Sequence, residues 1–109
     1  MGMQELTLTE IQHKLRAEQD EFALFLFSPL CGTCQVTHRM LDIVLQMEPE
    51  LPVYKGNLNL MSQLSDVWQI TSIPCIVILK NGNLVTKFTR MESVERLLSA
   101  LRPMLPKYR

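Results

Sequence analysis

Several things are scarce in this sequence. Cysteine occurs only three times in 109 residues, and an odd, small number does not pair into the disulfide framework of a secreted miniature domain. No charge sign dominates: eleven Lys and Arg balance eleven Asp and Glu. Without a basic excess there is no obvious face for nucleic-acid phosphate. No hydrophobic run approaches the roughly 18 residues of a membrane helix. The opening "MGMQELTLTE" lacks the basic region and apolar core of a signal peptide. Gly2 begins no myristoylation signal either, because Leu6 stands where Ser or Thr is needed. A cytoplasmic chain with no membrane and no nucleic-acid partner is therefore expected, with Met1-Gly2 ahead of Met3 reading as a cloning scar. Repeats, low-complexity tracts and linkers are missing too, so residues 1–109 read as one domain, long enough to bury a core without staples.

What is present is an alternation of helical and strand patterns. "TLTEIQHKLRAEQ" opens with Thr7 and Glu10 at capping-box spacing, and Leu8, Ile11 and Leu15 share a helical face. "EFALFLFS" is an apolar run too short for a helix and suits a strand covered on both faces. From Gly32 to Met47, the residues Val36, Met40, Val44 and Met47 recur at helical spacing, and Pro49 closes the pattern. "LPVYKGNL" reads as a strand and "LMSQLSDVWQI" as a short helix. "PCIVILKNGNLVTKFT" holds two runs split by Asn81-Gly82-Asn83, a hairpin signal. "MESVERLLSALRPML" is a last helix, with Val94, Leu97, Leu98 and Leu101 inward and a break at Pro103. The order α-β-α-β-α-β-β-α calls for parallel strands joined by crossover helices, with an antiparallel hairpin at the end. This is a three-layer α/β domain.

The chemistry concentrates in "FLFSPLCGTCQVTHRML". Cys31 falls where a strand ends and a helix begins, and a thiol there meets unpaired amides and the positive end of the helix dipole, which favour its thiolate. Cys34 lies one turn below on the same face, within bridging reach, with Gly32 and Thr33 permitting the turn between. A disulfide closing so short a loop constrains the unfolded chain very little, so it makes a poor structural staple. Zinc needs two further ligands, and there is no second CxxC. Two unrelated core thiols are the plainer alternative. Redox chemistry fits the placement best.

The motifs "CGTC", "SIPC" and "KNG" together resemble the thioredoxin family, whose signature is CxxC near a βαβ pattern, and within it the small thioredoxin-like proteins of Gram-positive bacteria. The likeness runs nearly the whole chain and keeps family spacing from Lys55 through the last helix. It implies a thioredoxin fold, a central mixed β-sheet flanked by helices. It also implies that Cys31 attacks, that Cys34 resolves, and that Pro74 is the cis-proline opposite the pair, so the Ile73–Pro74 bond is expected in cis. The backbone of Ile73 would then pair with an extended substrate segment. No cofactor is implied beyond a redox-active Cys31–Cys34 disulfide, and no metal. The implied partners are protein disulfides and an electron donor such as a thioredoxin reductase or a low-molecular-weight thiol, met by a monomer.

The departures from the family pattern are as informative. Leu30 replaces the tryptophan before the first cysteine, and Thr33 replaces the proline inside the motif. The family's buried aspartate falls at Phe25, so Lys55 has lost that partner and reads as a solvated lysine at a strand end. With no carboxylate below the pair, resolution by Cys34 is expected to depend on solvent base. Arg39 replaces the proline that kinks the long helix, which should run straighter. Arg90 replaces the glycine flooring the substrate groove, which points to a restricted substrate range.

Three further residues carry two readings each. Cys75 starts a buried strand as a small apolar thiol; alternatively it is an accessory thiol that completes a Cys31–Cys34–Cys75 metal or Fe–S site, with His38 as fourth ligand. His38 and His13 otherwise read as solvated surface histidines. Trp68 either packs in the core or lines the groove beside Leu30 and Arg90. Two functions follow: a thiol–disulfide oxidoreductase, favoured by the intact CxxC and Pro74, or a binding module of the same fold that holds a partner, metal or cluster, favoured by Phe25, Leu30, Arg90 and Cys75.

Overall fold

A computed structural model describes residues 2–17 and 21–109; Met1, and Glu18 and Gln19 at the end of the first expected helical segment, lie outside the described residues. The elements in chain order are β1 (Gln4–Glu5), α1 (Leu8–Arg16), β2 (Glu21–Phe27), α2 (Gly32–Met47), β3 (Val53–Asn57), α3 (Ser62–Val67), β4 (Cys75–Lys80), β5 (Asn83–Phe88) and α4 (Val94–Leu101). Short 3-10 turns follow β3 at Leu58–Leu60 and close the chain at Arg102–Met104 and Pro106–Tyr108. No helix among the described residues is long and apolar enough to cross a membrane.

Local chemistry explains the boundaries. The Thr7 hydroxyl accepts from the Glu10 amide at 3.2 Å and Glu10 accepts from the Thr7 amide at 2.8 Å, a reciprocal cap that contributes about 1 kcal/mol to the start of α1. Between β4 and β5 the backbone turns through Asn81 (φ 54°) and Gly82 (φ 78°), the two positive φ angles of a tight hairpin turn. A side chain at Gly82 would meet the Leu15 carbonyl oxygen at 2.5 Å, so this turn can only be glycine.

The sheet order is β1-β3-β2-β4-β5, with β1, β3 and β2 parallel and β4 and β5 antiparallel to their neighbours. Alternation along β2 and β4 sorts their side chains onto two faces. Ala23, Phe25, Ile76 and Ile78 join α2 and α4 in one core cluster. Phe22, Leu24, Leu26, Cys75, Val77 and Leu79 join α1 and α3 in the other. Each fully buried Leu, Ile or Phe contributes roughly 1.5–3 kcal/mol, so the central strands are held from both sides.

Two features differ from the sequence expectation. The strand β1 precedes α1 and pairs Gln4 with Tyr54 and Glu5 with Lys55; both of its residues are exposed, so no apolar pattern marked it. In α2 the inward face is Cys34, Thr37, Leu41 and Val44. Of the expected stripe only Val44 is buried, while Val36 and Met47 are 52% and 53% exposed. A helix with apolar residues on more than one face offers two stripes, and packing against β2 chooses between them.

Candidate active site

The end of β2 delivers Ser28, Pro29 and Leu30 to a turn, and Cys31 caps α2 in an extended conformation. Its Sγ accepts the Cys34 amide at 3.2 Å and lies 3.3 Å from the Thr33 hydroxyl. The Cys34 side chain, then that of Thr33, hold the Cys31 thiol below its ordinary pKa, outweighing a small opposing effect of burial. Cys34, 3% exposed, is pushed the other way. Burial first, and then its hydrogen bond to Cys31, raise it to about 11. Both are free thiols. One helix turn thus separates a partly exposed thiol primed to ionise from a buried one that keeps its proton.

Beneath Cys34 opens a cleft of about 350 Å³ lined by Phe25, Phe27, Ser28, Pro29, Cys34, Gln35, His38 and Arg39. Phe25 is 0% exposed and faces the same side of the sheet as Cys34. His38 and Lys55 are not the solvated groups the sequence suggested. His38 is half-buried, edge-on to the Phe25 ring, with Nδ1 3.2 Å from Asp42 Oδ2 and Nε2 3.0 Å from Lys55 Nζ. Pairing of β2 with β3 sets Lys55 beside Phe25, which brings its ammonium to the imidazole. Asp42, which sequence reading missed, lies four residues after His38, a spacing that places the two on one helix face.

The Ile73–Pro74 peptide bond is cis, and Ile73 packs against the same core cluster as Cys31. Leu30 stands 95% exposed beside Cys31, and Gly32 and Thr33 are exposed in the first turn of α2. The remaining candidates are placed elsewhere. Cys75 sits opposite Leu26 and packs in the cluster of α1 and α3, on the far face of the sheet from Cys34; burial raises its pKa. No three His, Cys, Asp or Glu side chains among the described residues are grouped to hold a metal ion. The Cys31–Cys34–Cys75 site, with His38 as fourth ligand, is therefore not formed. Trp68 is 7% exposed and packs inside that same far cluster, in the core. Arg90 is exposed and borders a separate cleft with Phe88, Glu92 and Arg96, toward α4.

The sequence profile of the family described as Thioredoxin matches residues 2–103. The chain is 34% identical over 100 residues to the thioredoxin-like protein YusE of Bacillus subtilis (strain 168), covering 92% of each. Among solved structures it resembles mitochondrial thioredoxin 3 from Saccharomyces cerevisiae in its oxidized form, with a TM-score of 0.75, 20% identity and coverage of 93% and 94%. A mutant thioredoxin from Halobacterium salinarum NRC-1 is similar at a TM-score of 0.78 and 15% identity, over 94% of this chain and 90% of that one. The likeness to these structures is one of fold.

Proposed function

The chain belongs to the thioredoxin family, and from that premise we propose that it is a thiol–disulfide oxidoreductase of restricted substrate range. The observation that carries the reading is the asymmetry of the pair: Cys31 caps α2 with its Sγ accepting the Cys34 amide at 3.2 Å, while Cys34 is buried one turn below. A thiolate is the attacking species in exchange, and it is favoured at Cys31 alone. Cys31 attacks one sulfur of a protein or small-molecule disulfide, forming a mixed disulfide and releasing the first substrate thiolate. Cys34 then attacks Cys31, closing the Cys31–Cys34 bond and releasing the second. Two electrons pass to the substrate, and a thioredoxin reductase or a low-molecular-weight thiol returns them. Ile73 and Pro74 supply the backbone edge for an extended segment, and Gly32 and Thr33 set the spacing of the thiols. The protein acts as a single-domain monomer of the cytoplasm, with no cofactor beyond its own cysteines.

The test is a trap. Cys34→Ser mixed with an oxidised disulfide protein is expected to accumulate a covalent adduct at Cys31, cleaved by added dithiol and absent from Cys31→Ser. Lack of any adduct overturns the reading.

One observation favours a second reading, a module that holds a partner with little turnover. Leu30 and Leu60 are 95% and 71% exposed on segments tied together by a 3.2 Å bond from Asn59 to Ser28. Large apolar side chains left in water, one of them next to Cys31 in the chain, suit a protein contact. Stable partner capture by the double Cys31→Ser, Cys34→Ser variant would support this reading over exchange.

A further inference from the structure

The exchange reading leaves a chemical gap. Cys34 must lose its proton before it can attack, yet burial raises its thiol and Phe25 occupies the place below it. The same cleft holds one side chain able to accept a proton. His38 is one turn beyond Cys34 on α2, and both line the cleft of about 350 Å³, which is wide enough for bridging water. The ring is fixed by its partners. Asp42 offers only acceptor oxygens, so the 3.2 Å contact places the proton on Nδ1 and leaves the lone pair of Nε2 free to accept. The second oxygen of Asp42, Oδ1, is buried with no hydrogen-bond partner among the described residues, and Oδ2 is the oxygen that meets the ring. In the resting arrangement Lys55, an obligate donor, occupies that lone pair at 3.0 Å.

We propose that His38, oriented by Asp42, is the proton acceptor for Cys34 in the resolving step, and that Lys55 competes with that proton for Nε2. The inference rests on the exchange reading above. Water in the cleft carries the proton from Cys34 Sγ to Nε2. The resulting thiolate attacks Cys31 Sγ, the Cys31–Cys34 bond forms, and the bond from Cys31 to the substrate breaks. The substrate departs as a thiolate, takes a proton from solvent, and the imidazolium later returns its own proton to solvent. The charged and titratable groups around the ring are Asp42 and Arg39 on α2, Lys55 on β3 and the donor Cys34; Phe25 on β2 is apolar.

The experiment follows a chromogenic dithiobis(nitrobenzoate) disulfide in single turnover on the full chain. The first coloured thiolate reports attack by Cys31, and the second reports resolution by Cys34. In the wild type, the second release is expected to run fast near neutrality, far below the thiol's own value of about 11. His38→Gln removes the proposed acceptor. The second release should slow by roughly a hundredfold near neutrality, the lower end of what a positioned base contributes, and climb with pH toward the thiol's range while the first release persists. Lys55→Met should act oppositely, freeing Nε2 and speeding the second release near neutrality. A His38→Gln profile identical to wild type overturns the proposal, as does slowing of the second release in Lys55→Met. If His38→Gln loses the first release as well, the direction of the rate change in Lys55→Met decides alone. Absence of the first release from the wild type sinks the exchange reading, and the proposal with it.

Discussion

The amide of Cys34 donates to the Sγ of Cys31 across 3.2 Å, so the helix that carries one thiol is capped by the other. The contact serves both ends of the pair at once. It satisfies one of the orphan amides of the first helical turn, and it gives the Cys31 thiolate a donor that the thiol would use less well.

Alkylation should therefore be ordered. Cys31 lies below the ordinary thiol range through its bonds to Cys34 and Thr33, and Cys34 is raised to about 11. Iodoacetamide near neutral pH is expected to label Cys31 ahead of Cys34 by at least about tenfold, given how reactivity tracks thiolate fraction. Peptide mass spectrometry over a time course reads the order, and labelling of Cys34 first would reverse the assignment of attacker and resolver. Cys75, buried on the far face, should stay unlabelled until the protein unfolds.

Phe25 carries stability beneath the thiol pair. Its ring is wholly buried and meets Phe27 and His38 at centroid distances of 5.8 and 6.2 Å. Phe25→Ala is expected to cost about 3–5 kcal/mol in urea unfolding, the range for an aromatic deleted from a core. A loss under about 1 kcal/mol would mean that the site collapses around the gap.

Arg90 tests the restricted range proposed above, from its place in the separate cleft toward α4. As an exposed guanidinium it can favour partners whose acidic group reaches that cleft, and one charge-assisted bond changes preference by roughly tenfold to a hundredfold. Slow reduction of insulin, improved in Arg90→Gly, is the expected result, together with salt-sensitive turnover of an acidic partner. Wild-type insulin reduction at the rate of an ordinary thioredoxin, unchanged in Arg90→Gly, would remove Arg90 from specificity.

Glu48 ties the end of α2 to the chain's last turns. It takes Arg102 Nε at 2.9 Å, Lys107 Nζ at 3.3 Å and the Tyr108 hydroxyl. The Tyr108 bond first, then those of Arg102 and Lys107, lower its pKa. A carboxylate depressed in the folded state stabilises the fold above its unfolded pKa, and this contribution disappears as pH falls through the folded value. Thermal stability should accordingly drop on acidification below the ordinary carboxylate range, and Glu48→Gln should lower the midpoint at pH 7 while flattening that acid limb. An unchanged acid limb in Glu48→Gln would assign the drop to other carboxylates.

Much of this protein was legible in order along the chain. Short apolar runs became β2 and β4, Thr7 and Glu10 closed a capping box, and Asn81-Gly82 made the hairpin turn. These are local preferences of backbone and side chain, complete within a few residues, so the sequence determined them by itself. It also determined that Cys31 would stand at a helix start with Cys34 one turn on, because three residues of helix set that distance.

Only the tertiary structure decided which side chains meet across the sheet. Strand alternation turned Cys75 to the face opposite Cys34 and broke up the three-cysteine site. Core packing buried Trp68 and selected the Cys34, Thr37, Leu41 and Val44 stripe of α2. The pairing of β2 with β3 carried Lys55, seventeen residues from His38, to 3.0 Å from its ring. The reason is one of range: a helix or a turn is fixed by neighbours in sequence, whereas a contact between distant residues exists only after strand register and helix rotation have been settled by burying the core.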